Sequence, residues 1–145
     1  MQHMDVLIEE MRLDEIPRVL ALWQSIPALN LSGVDSAEGI ARYLQRNPGL
    51  STVARRKGEI VGALLCGHDG RRGSFYHLGV LPDFRRKGIA QSMVERSLQC
   101  LRQINIHTAF LFTSETNVPA QAFWTETGWQ YCPWVRYHYR EFEKQ

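Results

Sequence analysis

At 145 residues, 44% hydrophobic and 22% charged, the chain has the composition of an ordinary folded protein, which excludes a disordered or fibrous one. A formal net charge of +2 is too small for a general nucleic-acid binder or membrane-surface binder. No apolar run approaches the roughly 18–20 residues of a membrane span, and one domain over residues 1–145 is expected.

The opening stretch MQHMDVLIEEM has no basic region followed by a long apolar one, so no signal peptide is expected, and MQHM itself could be an expression remnant. Val6 to Glu10 reads as a short strand. Asp14 is then a good N-cap for a helix whose buried face is Ile16, Val19, Leu20 and Trp23, with Pro17 tolerable in the first turn. Ile26 to Asp35 (IPALNLSGVD) reads as a loop. A second helix is expected from about Ala37 to Arg46, stopped by Asn47-Pro48. LSTVARRKGEIVGALLCG then changes period to two strands about a tight Lys57-Gly58 turn. Gly67 to Gly73 is a second turn, and Ser74 to Leu81 a third strand. Ile89, Met93, Val94, Leu98 and Leu101 mark one face of a long helix. Thr108 to Thr113 fits a buried strand, and Asn117 with Pro119 opens a last helix that Gly128 should stop. The tail alternates Val135, Tyr137 and Tyr139 with Arg136, His138 and Arg140, as a final strand would. The expected class is α/β, a mixed, mostly antiparallel sheet flanked by about four helices in the order β-α-α-β-β-β-α-β-α-β-β.

Of the 17 basic residues, eight lie in three clusters, 55–57, 71–72 and 85–87. The last is the informative one: Arg85, Arg86 and Lys87 stand directly before Gly88 and a helix start. A helix start exposes unbonded N–H groups and the positive end of the macrodipole, so it favours anions, not cations. A bound phosphate reconciles the two, although a solvated loop tip would produce the same short run. Neither G-x-x-x-x-G-K-[ST] nor G-x-G-x-x-G after a strand is present, which disfavours a kinase, a GTPase or a dinucleotide-binding dehydrogenase.

The stretch LGVLPDFRRKGIA resembles the acyl-CoA-binding signature of the GNAT superfamily of N-acetyltransferases: Val80 and Pro82 match V-x-P, and Arg85, Gly88 and Ala90 match [RQ]-x-x-G-x-[GA]. Asn117, Ala120, Phe123, Gly128 and Trp129 continue the likeness at N-x-x-A-x-x-[FL]-Y-x-x-x-G-[FW]. The resemblance implies acetyl-CoA as cosubstrate, with N–H groups from Arg86 through Lys87, Gly88 and Ile89 to Ala90 around its pyrophosphate and Arg85, Arg86 and Lys87 adding charge. It further implies that the Leu78, Gly79 and Val80 edge pairs with the pantetheine arm, that Asn117 touches it, and that a strand N–H, taken as that of Val80, is the oxyanion donor. The family's usual tyrosine, its general acid, is replaced here by Trp124, which has no practicable proton to give; it reads as an aromatic packing residue or one that helps hold substrate, and the departure bears on catalytic power and not on cofactor binding.

For a base, His77 is the candidate because imidazole is the side chain suited to proton exchange at physiological pH, but strand faces alternate and only a bulge could reverse its direction; Tyr76, Ser74 or a water chain are alternatives. Cys66, His68 and Asp69 lie close together, yet no second ligand pair has metal spacing, so no metal is expected and Asp69-Gly70 reads as turn chemistry. Cys66, Cys100 and Cys132 lack framework spacing, which fits a reducing, cytoplasmic setting. The expected function is direct acetyl transfer from acetyl-CoA to an amine: a small amine, a peptide N-terminus or a lysine. The alternative is a non-catalytic acyl-CoA-binding or sensor module. Nucleic acid and membrane are not expected partners, and the chain is expected as a monomer or a homodimer through its C-terminal strands.

Overall fold

Five strands build one sheet in the spatial order β1-β2-β3-β4-β5: β1 (Val6–Glu10), β2 (Thr52–Arg56), β3 (Glu59–His68), β4 (Gly73–Val80) and β5 (Ala109–Leu111). The first four pair antiparallel and β5 pairs parallel with β4. A computed structural model describes residues 5–143, in two compact units, 5–112 and 113–143. The opening MQHM lies outside the described residues.

In the first unit the helices are α1 (Ile16–Gln24), α2 (Ala37–Arg46) and α3 (Ile89–Gln103). Strand alternation assigns the faces. A Cβ on Gly62 would meet the Met93 side chain of α3, whereas its neighbour Ala63 belongs to a core with Val19, Trp23, Ile40 and Leu44 of α1 and α2. The helices therefore cover opposite faces, and β3 is buried along nearly its whole length. Lys57 and Gly58, at φ 51 and 81, make the two-residue turn that a right-twisted hairpin needs.

Two expectations are corrected. Asp14 does not cap α1: it sits in a short 3-10 turn (Leu13–Glu15), while Glu15 accepts the Arg12 N–H at 2.9 Å. Glu15 wins because it also meets a cation, Arg55, bonding its Nε and Nη2 at 2.6 and 2.7 Å. Arg55 additionally meets Glu9 of β1. Burial alone would push the Glu15 carboxyl up, but hydrogen bonds from Arg55 and Arg12 and the Arg55 charge outweigh it and hold the carboxyl below its usual range.

The second correction is the tail. Among the described residues, 129–143 form no strand, so the final β-β of the expected order is missing. Alternation offers two faces, but a strand also needs ladder bonds and a covered side. Val135 and Tyr139 are instead 56% and 71% exposed. Helix α4 (Val118–Glu126), in the second unit, starts at Asn117, whose side chain accepts the Ala120 N–H, with Gly128 in the left-handed region just beyond its end.

Candidate functional site

The site begins with a fault in β4. Leu65 pairs with Tyr76 and Ala63 with Gly79, so the single residue Leu64 stands opposite His77 and Leu78. This is a β-bulge, and His77 takes it up at φ 57, a left-handed conformation that costs a non-glycine residue on the order of 1 kcal/mol. The extra residue resets the alternation. Gly79 now faces Trp23, Ile26 and Leu29, and His77 turns to the same side, its ring 5.2 Å from that of Trp23.

The bulge lies where the sheet opens. β5 pairs with β4 only at Gly73, Ser74 and Phe75, and beyond that point Tyr76–Val80 has no strand neighbour on this edge among the described residues. The Leu81 N–H donates to Val61 at 2.9 Å. Antiparallel alternation therefore turns the Val80 N–H and C=O to the open edge. Arg85 Nε reaches back to that carbonyl at 2.8 Å, which leaves the Val80 N–H as the donor there.

A short 3-10 turn (Pro82–Phe84) then delivers the chain to Arg85–Gly88. Arg86 and Gly88 are both left-handed, at φ 62 and 81, and the Ser92 N–H to the Gly88 carbonyl, 3.0 Å, is the first bond of α3. Among the described residues no group accepts from the N–H of Arg86, Lys87 or Gly88. Those of Ile89 and Ala90 belong to the first turn, where a helix has no acceptor of its own. Arg85, Arg86, Lys87 and Gly88 are exposed, Ala90 half-buried, and Ile89 buried as the anchor of the helix start. Arg56 adds a further cation, lying 5.8 Å over the Phe84 ring. The turn is an open concavity of donors beside positive charge, suited to a phosphate.

The structure adds a residue that sequence reading passed over. Asp35 Oδ1 lies 3.0 Å from His77 Nε2, with both side chains largely buried. Asp35 ends the 3-10 turn Gly33–Asp35 and accepts the Ser32 N–H on Oδ2 at 2.9 Å. The Ser32-x-x-Asp35 spacing was visible as a capping signal, but nothing local points to a histidine 42 positions away. The turn is wedged on α2: a Cβ on Gly39 would lie 2.0 Å from the Val34 carbonyl oxygen. Glycine to alanine in a helix normally stabilises by about 1 kcal/mol. Gly39→Ala should do the reverse, lowering stability by about 2 kcal/mol because backbone has to move. Thermal melting checks the sign.

The remaining candidates separate by location. Leu78, the second residue of the bulge, and Gly79 lie on β4 directly before Val80, so they share the open edge. Tyr76 and Ser74 lie on the α2 side, where Tyr43 meets Tyr76 edge-on at 6.3 Å. His68 Nδ1 accepts the Gly70 N–H, and Asp69 accepts those of Arg71 and Arg72, which holds its carboxyl at about 2; both residues close a turn. Cys66 faces the other way, with its N–H on Ser51, and burial pushes its thiol up to about 12. Asn117 and Trp124 belong to the second unit, where Asn117 caps α4 and Trp124 packs between Phe123 and Trp129 at 5.0 and 5.1 Å.

The sequence matches the model of the Acetyltransferase (GNAT) family over residues 13–129. It is 44% identical over 89 residues to an acetyltransferase of Photorhabdus laumondii, covering 61% of this chain and 62% of that protein. The chain thus spans about three fifths of the length of the curated relatives it matches. Ard1 from Thermoplasma volcanium superposes with a TM-score of 0.75 at 19% identity, covering 85% of this chain and 81% of that one. A predicted acetyltransferase from Clostridium acetobutylicum, solved with acetyl-CoA, gives 0.72 at 18% identity over 92% and 96%. At such identities the likeness is one of fold. Among the described residues no helix is long and apolar enough to cross a membrane, and no group of three or more His, Cys, Asp or Glu could hold a metal.

Proposed function

The chain belongs to the GNAT acetyltransferase family, and from that membership we propose that it transfers an acetyl group directly from acetyl-CoA to an amine acceptor. The observation that carries this reading is continuity: the unpaired β4 edge at Tyr76–Val80 runs within a few residues into the unbonded N–H groups of Arg86, Lys87 and Gly88. An extended arm ending in a pyrophosphate fits that sequence of features. Acetyl-CoA supplies the activated acyl group. Gly79 and the open edge at Leu78 and Val80 receive the pantetheine arm as an added strand would lie. Arg86 to Ala90 receive the phosphates, with Arg85, Lys87 and Arg56 supplying charge that backbone alone lacks.

The Val80 N–H is the proposed oxyanion donor, since it is rigidly held by the sheet and turned to the open edge. His77 is the proposed base, directed by the bulge to the α1 and α2 side. Direct transfer is favoured over an acyl-cysteine route by the state of Cys66, buried on the α3 side with its thiol at about 12. The acceptor then enters from the side bounded by the 26–35 loop and α2, where Tyr76 stands beside His77 and Tyr43 beside Tyr76, with Trp23 buried against the His77 ring.

A second reading, a non-catalytic acyl-CoA-binding module, is favoured by one observation: Trp124, at the family's tyrosine position, is committed to packing. Release of free CoA from acetyl-CoA across a panel of amines, amino acids and short peptides separates the two. Acceptor-dependent release of CoA is the expected result and identifies the acceptor class. Tight acetyl-CoA binding with no release on any acceptor favours the binding module.

A further inference from the structure

We propose that Asp35 is a positioning residue for this transfer: it holds the His77 ring with its proton on Nε2, so that Nδ1 carries the lone pair that takes the acceptor's proton. The assignment rests on the acetyltransferase reading, and its geometry stands on its own. Asp35 Oδ1 is 3.0 Å from His77 Nε2. A carboxylate can only accept, so two lone pairs cannot meet at that distance, and the proton between them sits on Nε2. In the neutral ring the free lone pair is then Nδ1.

Asp35 is itself fixed, because its other oxygen accepts the Ser32 N–H at 2.9 Å. Burial alone would push its carboxyl up, but the His77 and Ser32 contacts outweigh that and hold it below the usual range, so it stays ionised. The ring's other neighbours are Trp23 from α1 at 5.2 Å and Tyr76 from β4 at 6.3 Å, with Tyr43 of α2 behind Tyr76. The group that meets Nε2 is the Asp35 carboxylate, so Asp35 sets the ring's proton position. The left-handed backbone at His77 serves the same end, since an unbulged strand would send this side chain to the α3 face.

In the step, the acceptor ammonium gives one proton to Nδ1, and the imidazolium stays beside the Asp35 carboxylate until it passes the proton to water. The freed amine lone pair forms the N–C bond at the thioester carbonyl while the Val80 N–H holds the oxyanion. The C–S bond then breaks, and a second amine proton leaves with the thiolate as the CoA thiol.

Long-range proton–nitrogen NMR on the ring, assigned by the signal lost in His77→Gln, reads the tautomer directly. The wild type should show the proton on Nε2, and Asp35→Asn a mixture. In turnover, Asp35→Asn should lower kcat about 10- to 100-fold with the KM for acetyl-CoA nearly unchanged. The Asp35→Asn/His77→Gln double variant should be no slower than His77→Gln alone. A wild-type proton on Nδ1, or losses that add in the double variant, overturns the proposal. The wild-type spectrum decides even if a variant fails to fold. Wild-type silence on every amine overturns the acetyl-transfer reading, and the base role with it, while leaving the tautomer measurable.

Discussion

Replacing Arg86 by Glu and Gly88 by Asp should weaken acetyl-CoA binding by at least about 100-fold while leaving the unliganded fold nearly as stable as before. A hundredfold loss is about 2.8 kcal/mol, and a charge-assisted hydrogen bond contributes about 1.5–3 kcal/mol, so losing two of them to repulsion reaches it. Both positions are exposed and left-handed, and an added Cβ on Gly88 meets nothing within 4 Å. An aspartate at Gly88 costs about 1 kcal/mol in backbone strain. Its carboxylate at the start of α3 returns about 0.3–1 kcal/mol, since a helix start favours anions. Folding and binding thus respond to the same charge with opposite sign. Calorimetry on acetyl-CoA reads the affinity, and melting with and without ligand reads the coupling: the wild-type Tm should rise with acetyl-CoA and the variant's should not. A variant that melts normally and still binds as tightly as wild type would remove the Arg86–Ala90 turn from the site.

The second large effect concerns folding. Glu15→Gln should lower stability by about 3 kcal/mol, the low end of what breaking a buried ion pair costs, because Glu9 still meets Arg55. For a chain of this length that is a fall of about 10 °C in Tm. The loss should also depend on pH in a definite direction. The folded Glu15 carboxyl is depressed below its ordinary value of 4.5. Its contribution is therefore complete above that value and disappears as pH falls through the lower folded one. The gap between wild type and Glu15→Gln should be constant near neutrality and close below about pH 4.5. Urea melts at a series of pH values measure it. A gap that is unchanged at acid pH would mean that Glu15 acts through packing and not through its charge.

Most of the architecture was legible because it is written in local periodicities. Val6–Glu10 and Ala37–Arg46 appear as expected, since a period of two and a period near 3.6 require only the residues themselves. The Lys57-Gly58 hairpin and the Arg85–Gly88 turn were equally local, each needing left-handed backbone that glycine supplies. The tail misled for the same reason: alternation in Val135–Tyr139 is local, whereas a ladder is not.

What the sequence by itself determined, then, is the α/β class, the order of elements through α4, the cation-rich turn before α3 and, by resemblance, the family. What only the tertiary structure decided is where side chains distant in sequence meet. The His77 bulge exists because β4 must pair with β3 on both sides of Leu64, and no residue in SFYHLGV announces the misfit. Asp35 finds His77 across 42 positions, and Glu15 finds Arg55 across 40. Such pairs depend on register, strand face and the placement of a turn against a helix. Each is set by packing of the whole unit, so a single sequence offers the partners without saying which will touch.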